Sequence, residues 1–238
     1  MKNIRAITLD LDDTLWEIAP VIQRAEKKLW QWLGENYPRI PQRWEARDVV
    51  ALRVSMFEEF PHKTHDFRFM RKKVLEQIAL DAGYSADLVE PAFGIFDDAR
   101  NDVELYPEVA EELAWLAERF VVIAITNGNA NLHAIGIANR FDDIITSVNI
   151  GVAKPARRIF DAAVSKAGVS SEETLHVGDH AESDIQGARD AGMRTVWVNR
   201  NSAEWPDHLD APDATVESIS GVRELLQSAN AAGRGSVR

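Results

Sequence analysis

The chain opens on a short apolar run, residues 4–9, that passes directly into three acids within four positions, Asp10, Asp12 and Asp13, with Thr14 behind them. A run of that length and content reads as a buried strand. Such a strand belongs in a sheet with layers over both faces, and the crevice beyond its carboxyl end is where open α/β sheets hold their ligands. Clustered carboxylates repel one another; a hard divalent cation relieves that repulsion and takes oxygen ligands, which favours magnesium over softer metals. Two other accounts compete: an acidic turn that caps a helix through Asp13 or Thr14, and a calcium loop. The calcium loop fails on spacing, because counting from Asp10 puts Leu15 where glycine is needed and Val21 where the last glutamate belongs.

Beyond the acids, strand signals stop until about residue 101. Ile22, Ala25, Leu29 and Leu33 recur at helical spacing, as do Met70, Val74, Ile78 and Ala82. Pro38, Pro41 and Pro61 punctuate the stretch, which reads as about four helices packed in a small bundle. From Pro107 on, where Val109, Leu113 and Leu116 mark a helix face, helices alternate with apolar runs at 120–125, 144–147, 174–177 and 195–198. One helix opens at Pro155 and ends near Gly168; another ends near Gly192. Alternation of this kind builds a parallel sheet covered by helices. The expectation is an α/β core of residues 1–15 and 102–228, an inserted helical cap over 16–101, and a disordered tail over 229–238, rich in Ala, Gly and Ser.

Three further clusters carry chemistry. Thr126-Asn127-Gly128 follows the run ending at Ile125 and precedes a helix, so hydroxyl and N–H donors converge on an anion there, although an ordinary Asn-Gly turn has the same spelling. Lys154-Pro155 puts a cation just outside a helix start. Gly178-Asp179-His180-Ala181-Glu182-Ser183-Asp184 follows another strand, its glycine allowing a sharp turn; alone, it is also a helix N-terminus capped by Asp179. Parallel strands bring their carboxyl ends to one rim. Together the clusters put carboxylates, a lysine and anion donors there, the equipment for phosphoryl transfer.

Composition narrows the class. At 238 residues and 45% hydrophobic, the chain has material for one large domain or two modest ones. A net charge of −11 argues against a nucleic-acid surface. With no cysteine, disulfides, thiolate nucleophiles and cysteine metal sites are excluded, which fits a reducing compartment. Residues 1–10 lack a signal-peptide pattern and no apolar stretch is long enough to span a membrane. The expectation is a soluble cytoplasmic protein, monomer or homodimer, whose partner is a small phosphorylated metabolite rather than nucleic acid or membrane.

The segments LDLDDTLW, ITNGN, KPARRIF and HVGDHAESD, in this order, resemble the haloacid dehalogenase superfamily of phosphohydrolases over nearly the whole chain, and the helical insert is similar to that superfamily's helical-bundle cap, subfamily I. The resemblance implies a Rossmann-like parallel core. It implies that Asp10 attacks phosphorus to give an aspartyl-phosphate, that Asp12 protonates the leaving alcohol and then deprotonates water, and that Lys154 orients Asp10 and neutralises charge. Thr126 and the Asn127 backbone would bind phosphate together with Lys154. Magnesium would be held by the Asp10 carboxylate, the Asp12 backbone carbonyl and Asp179, with Asp184 in support. The family's dehalogenases lack an aspartate equivalent to Asp12 and work without magnesium, so Asp12 and Asp179 point to phosphate.

More narrowly, EIAPVIQRAE, FRFMRKKVLEQIALDAG and AITNGNA are similar to a bacterial branch that acts on flavin mononucleotide and 5-amino-6-(5-phospho-D-ribitylamino)uracil. Trp16, Arg68 and Arg71 are the candidate contacts to a flat ring and a polar chain. A phosphosugar mutase and a non-catalytic binder of phosphorylated ligands remain open as alternatives.

Overall fold

The opening apolar run forms strand β1 (Ala6–Leu9), every residue of it buried, in a computed structural model that describes residue 1 and residues 3–234. Helices α1 (Ile18–Asn36), α2 (Arg39–Arg43), α3 (Ala46–Glu59), α4 (Phe67–Asp81) and α5 (Val89–Arg100) follow it. Next come α6 (Val109–Ala117), β2 (Val121–Thr126), α7 (Leu132–Ile135), β3 (Asp143–Thr146), α8 (Ser147–Ile150) and α9 (Arg157–Ala167). The last elements are β4 (Thr174–Gly178), α10 (Gly187–Asp190), β5 (Arg194–Val198), β6 (Ala214–Val216) and α11 (Ile219–Arg234).

All six strands are parallel and lie in the order β3-β2-β1-β4-β5-β6. The chain winds outward from β1 to β2 and β3, then returns to the other side for β4, β5 and β6. Winding therefore reverses at β1, and the carboxyl ends of β1, β2 and β4 border the crevice that such a reversal opens. Leu9 pairs in register with Ala124 on one side and Val177 on the other.

The chain forms two compact units. The α/β unit comprises Met1–Glu17, Glu104–Gly128 and the chain from Gly136 on; the helical unit comprises Ile18–Val103 with Asn129–Ile135. In the α/β unit, Ile123 and Ile125 of β2 pack with Ile159, Phe160 and Ala163 of α9 and Ala188 of α10. The helix α6 buries Val109, Leu113 and Leu116, the face its spacing marks. In the helical unit, Ala25, Leu29 and Leu33 of α1 share a core with Met70, Val74 and Ile78 of α4 and Phe93 and Phe96 of α5. Each large apolar side chain buried there contributes about 1.5–3 kcal/mol.

Three expectations change. Trp16 belongs to the α/β unit, fully buried and bridged to Leu105, instead of opening the cap. Residues 129–135 join the helical unit because Arg100 Nε donates to Asn129 Oδ1 at 3.2 Å and the Asn131 N–H donates to Asn101 Oδ1 at 2.8 Å. The tail expected to be disordered over 229–238 is helical through Arg234, as a continuation of α11; residues 235–238 lie outside the described residues. Strand β6 was not foreseen, since its three residues are only partly buried or exposed and give no apolar run. Among the described residues no helix is long and apolar enough to cross a membrane.

Gly187 is where α10 meets α9. A Cβ on it would lie 2.7 Å from the Phe160 ring and 2.9 Å from the Pro155 Cα. Gly187→Ala is expected to destabilise the fold by about 1–3 kcal/mol through overpacking, read as a lower urea midpoint with unchanged helix content by circular dichroism.

Candidate active site

The site grows from the ends of β1, β2 and β4. The ladder continues one residue past β1, with the Asp10 N–H donating to the Val177 carbonyl at 2.9 Å, so Asp10 is fixed by the sheet itself. After it the chain folds tightly: the Leu15 N–H donates to Leu11 O at 2.8 Å and the Asp13 N–H to Trp16 O at 2.7 Å. Asp13 takes a positive φ of 62°, which aspartate tolerates better than most residues. This turn brings the Trp16 indole N–H to Asp12 Oδ1 at 2.9 Å.

Lys154 is the centre of the cluster. Its side chain is 3% exposed, and its ammonium donates to Asp10 Oδ1, to Asp184 Oδ1 at 2.5 Å and to the Ile125 carbonyl at 3.1 Å. All three N–H bonds are thus used. The lysine backbone is clamped as well, its N–H donating to Asn127 Oδ1 at 2.7 Å and its carbonyl accepting from Asn127 Nδ2 at 3.0 Å. Asn127 in turn is tied through its carbonyl, which accepts from Ser147 Oγ at 3.2 Å. Thr126 is buried and its hydroxyl oxygen accepts from the Gly128 N–H at 2.9 Å.

Asp184 rides on a π-helical turn, Ala181–Gln186, in which the Ile185 N–H reaches the His180 carbonyl at 3.3 Å. Its second oxygen accepts from the His180 N–H at 3.0 Å. Behind it lies His176, fully buried, with Nε2 3.3 Å from Asp184 Oδ1 and Nδ1 2.8 Å from the Thr8 hydroxyl. Burial pushes the imidazole below its ordinary pKa against the pull of Asp184. A neutral ring that donates to the carboxylate and accepts from Thr8 satisfies both contacts. Gly178 makes room for this arrangement, since a Cβ there would lie 2.5 Å from the Asp184 carboxyl carbon. Asp179 accepts from the Thr14 hydroxyl at 3.3 Å, and its backbone carbonyl accepts from the Trp197 indole at 2.6 Å.

The electrostatics follow from burial. Desolvation alone would lower Lys154, but Asp10 and Asp184 outweigh it and hold the ammonium above the ordinary lysine range. Asp184 moves the other way: burial opposes its charge, and Lys154 with His176 overcomes that and keeps the carboxylate ionised. Asp10 is driven well above the usual aspartate value by burial and by the Asp184 and Asp179 charges, with Lys154 pulling back. Burial, helped by Asp184, pushes Asp179 up to about 6.

Ligand atoms of Asp10, Asp179 and Asp184 all lie within 4.8 Å of one another. Ionising all three carboxylates against the one Lys154 ammonium would leave two negative charges over in a buried place, which is why Asp10 and Asp179 are pushed up. That surplus and the all-oxygen donor set fit a hard divalent cation.

Of the residues expected from sequence, Asp10, Lys154, Asp179 and Asp184 converge in the cluster, and Thr126 and Asn127 border it through β2 and Lys154. The Asp12 carboxylate is not among the three gathered ones; it is bonded to Trp16. The substrate contact expected of Trp16 is corrected. Trp16 has no exposed face for a ring to stack on and instead orients Asp12. Arg68 donates to both oxygens of Asp97 at 3.0 Å, and Arg71 to Glu26 at 2.9 Å, both within the helical unit. His176, Thr8, Thr14 and Trp197 were not read as site residues; burial inside strands was the only signal that His176 and Thr8 gave.

The chain is similar to known proteins in sequence and in fold. The family description "haloacid dehalogenase-like hydrolase" fits residues 4–192. The 5-amino-6-(5-phospho-D-ribitylamino)uracil phosphatase YigB of Escherichia coli (strain K12) is 30% identical, over 95% of this chain and 98% of its own. A phosphoserine phosphatase of Thermus thermophilus is 32% identical over 92% and 98%. A solved structure titled a 2-haloacid dehalogenase, from Pseudomonas syringae pv. Tomato DC3000, superposes with a TM-score of 0.89 at 36% identity, covering 94% of this chain and 99% of that one. The chain belongs to the haloacid dehalogenase-like hydrolase family.

Asp179 gives a direct check on the cation site. In the metal-free fold it keeps its proton between its ordinary 3.8 and about 6, where the unfolded chain has lost it. Stability therefore declines as pH rises through that window and stays lower above it. Asp179→Asn is expected to raise metal-free stability at pH ~7.5 by about 1–2 kcal/mol, or about 2–8 °C in thermal midpoint. A saturating divalent cation should then raise the midpoint of the parent and not of the variant; an equal rise in both would remove Asp179 from the ligand set.

Proposed function

We propose that this hydrolase is a magnesium-dependent phosphomonoesterase that works through an aspartyl-phosphate on Asp10. The observation that carries the reading is the buried Lys154 ammonium held against Asp10 and Asp184. A carboxylate gripped at Oδ1 has its plane fixed and keeps Oδ2 for in-line attack on phosphorus. The Oδ2–P bond forms as the ester P–O bond breaks, and Asp12 delivers a proton to the departing alkoxide oxygen. Asp12 then takes a proton from water; the water oxygen bonds to phosphorus, the Asp10–phosphorus bond breaks, and both residues return to their starting states. The Trp16 indole holds Asp12 Oδ1 and so orients the carboxyl that carries the proton. Thr126 and the Asn127 backbone bind phosphoryl oxygens, and Lys154, its three N–H bonds already used, contributes positive charge beside them.

Asp10, Asp179 and the Asp12 backbone carbonyl would hold magnesium, with Asp184, fixed by Lys154 and the His180 N–H, in support. When bound, the ion supplies positive charge to the phosphoryl oxygens. The substrate we infer is a small phosphorylated metabolite, 5-amino-6-(5-phospho-D-ribitylamino)uracil first and flavin mononucleotide second. What supports it is the named activity of the Escherichia coli relative and the extent of the match over both chains. A chain without cysteine suits work in the cytoplasm.

The structural likeness to a 2-haloacid dehalogenase favours a second reading, which the leaving group weighs against. Halide departs without a proton, whereas an alkoxide needs one, and Asp12 is the acid present to give it.

Purified protein is expected to release inorganic phosphate from p-nitrophenyl phosphate, to lose this on chelation and to regain it with magnesium. Asp10→Asn should reduce turnover on the order of 10³–10⁶-fold; parental rates would remove Asp10 as nucleophile. Halide release from 2-chloropropionate exceeding phosphate release would favour the second reading, and isomerised product in a sugar-phosphate panel would mark a mutase. Trp16→Phe, which deletes one hydrogen bond to Asp12, should lower kcat about tenfold with KM unchanged.

A further inference from the structure

The helical unit contains a cavity of about 170 Å³ whose lining residues all belong to that unit. Phe57 of α3, Phe67 of α4 and Phe96 of α5 form much of its wall, and Arg53, Arg71 and Asn129 add the polar groups. The phosphatase chemistry uses none of these residues.

Charge in the wall is unbalanced. Arg71 Nη1 donates to Glu26 Oε1 at 2.9 Å and Arg53 Nη2 donates to the same oxygen at 2.5 Å. Two guanidinium groups therefore share one carboxylate, leaving one positive charge over. Glu26 Oε2 is buried and has no hydrogen-bond partner among the described residues, so the carboxylate does not chelate either guanidinium with both oxygens. The Arg71 group lies over the Phe96 ring, 3.4 Å from its centroid, with its side chain only 16% exposed. Burial lowers its basicity, Glu26 partly restoring it. A half-compensated cation against an apolar wall attracts an anion, and a planar fork prefers paired oxygens in one plane.

Size and shape define the rest. A cavity of about 150 Å³ lined by aliphatic and aromatic side chains takes one benzene ring, so this one has room to seat a single ring. Phe57 and Phe67 meet edge to face with centroids 6.3 Å apart, a surface suited to a flat ring.

We propose that this cavity binds a small ligand made of one planar ring with an anionic, oxygen-bearing edge, the ring packed on Phe57, Phe67 and Phe96 and the oxygens held by Arg53 and Arg71. The same chemistry has two sources, the organic half of the substrate or a separate effector.

Calorimetric titration of the full chain with benzoate, acetate and benzyl alcohol tests the site without relying on turnover. Benzoate is expected to bind one to one, with acetate and benzyl alcohol each at least tenfold weaker. Arg71→Met should weaken benzoate at least tenfold, and Arg53→Met serves where the first variant does not fold. Glu26→Gln should move affinity the opposite way, tightening benzoate several-fold, a sign that a packing defect would not give. Benzoate that raises KM for p-nitrophenyl phosphate identifies the ring as substrate-derived, and benzoate that changes kcat identifies an effector. No benzoate binding, or an isotherm unchanged in the folded arginine variants, overturns the proposal.

Discussion

A single buried ammonium organises this molecule. Withdrawing an ion from water costs several kcal/mol even after the protein relaxes, so Lys154 is tolerable only with every N–H satisfied and anions on more than one side. Meeting that demand links the carbonyl of β2, the carboxylate beyond β1 and the carboxylate on the turn beyond β4. Other features are understood as support for the same point. Asn127 fixes the lysine backbone, Gly178 leaves space for Asp184, and His176 backs Asp184 from inside the sheet.

From that pairing the acids acquire unequal characters. Asp184, closest to being neutralised, is held ionised; Asp10 and Asp179 share the remaining negative charge and rise. Asp12 stands apart on the indole of Trp16. Asp10, Asp179 and Asp184 are thereby differentiated by surroundings alone, the general way in which one residue type takes different parts in a single site.

Much of this was legible in the sequence, for a physical reason. Buried strands are written as apolar runs, and residues that immediately follow them sit at the sheet's carboxyl rim, so Asp10, Thr126 and Asp179 declare themselves by adjacency. Lys154 and Asp184 were legible through the family's motifs more than through periodicity. What stayed hidden depends on partners distant in sequence. Periodicity marks Trp16 as apolar but not that its N–H meets Asp12, and it marks His176 as a strand residue but not that Thr8 and Asp184 flank it. The π-helical turn has no compositional signature. Helix over 229–234 was masked by small residues that read as a linker, although α11 buries Ile219, Val222 and Leu226 at helical spacing just upstream.

The strand that comes first in the chain ends up in the middle of the sheet, flanked by partners that begin at Val121 and Thr174. On a ribosome, Asp10 therefore emerges early with nothing to grip it; its counter-ion arrives only with Lys154, and the carboxylate that shares that ammonium only with Asp184. Long-range pairings of this kind form late and slowly. The buried cluster is consequently a property of the nearly finished polypeptide, and a nascent or truncated chain that stops before residue 184 carries Asp10 without the full set of groups that surround it in the fold.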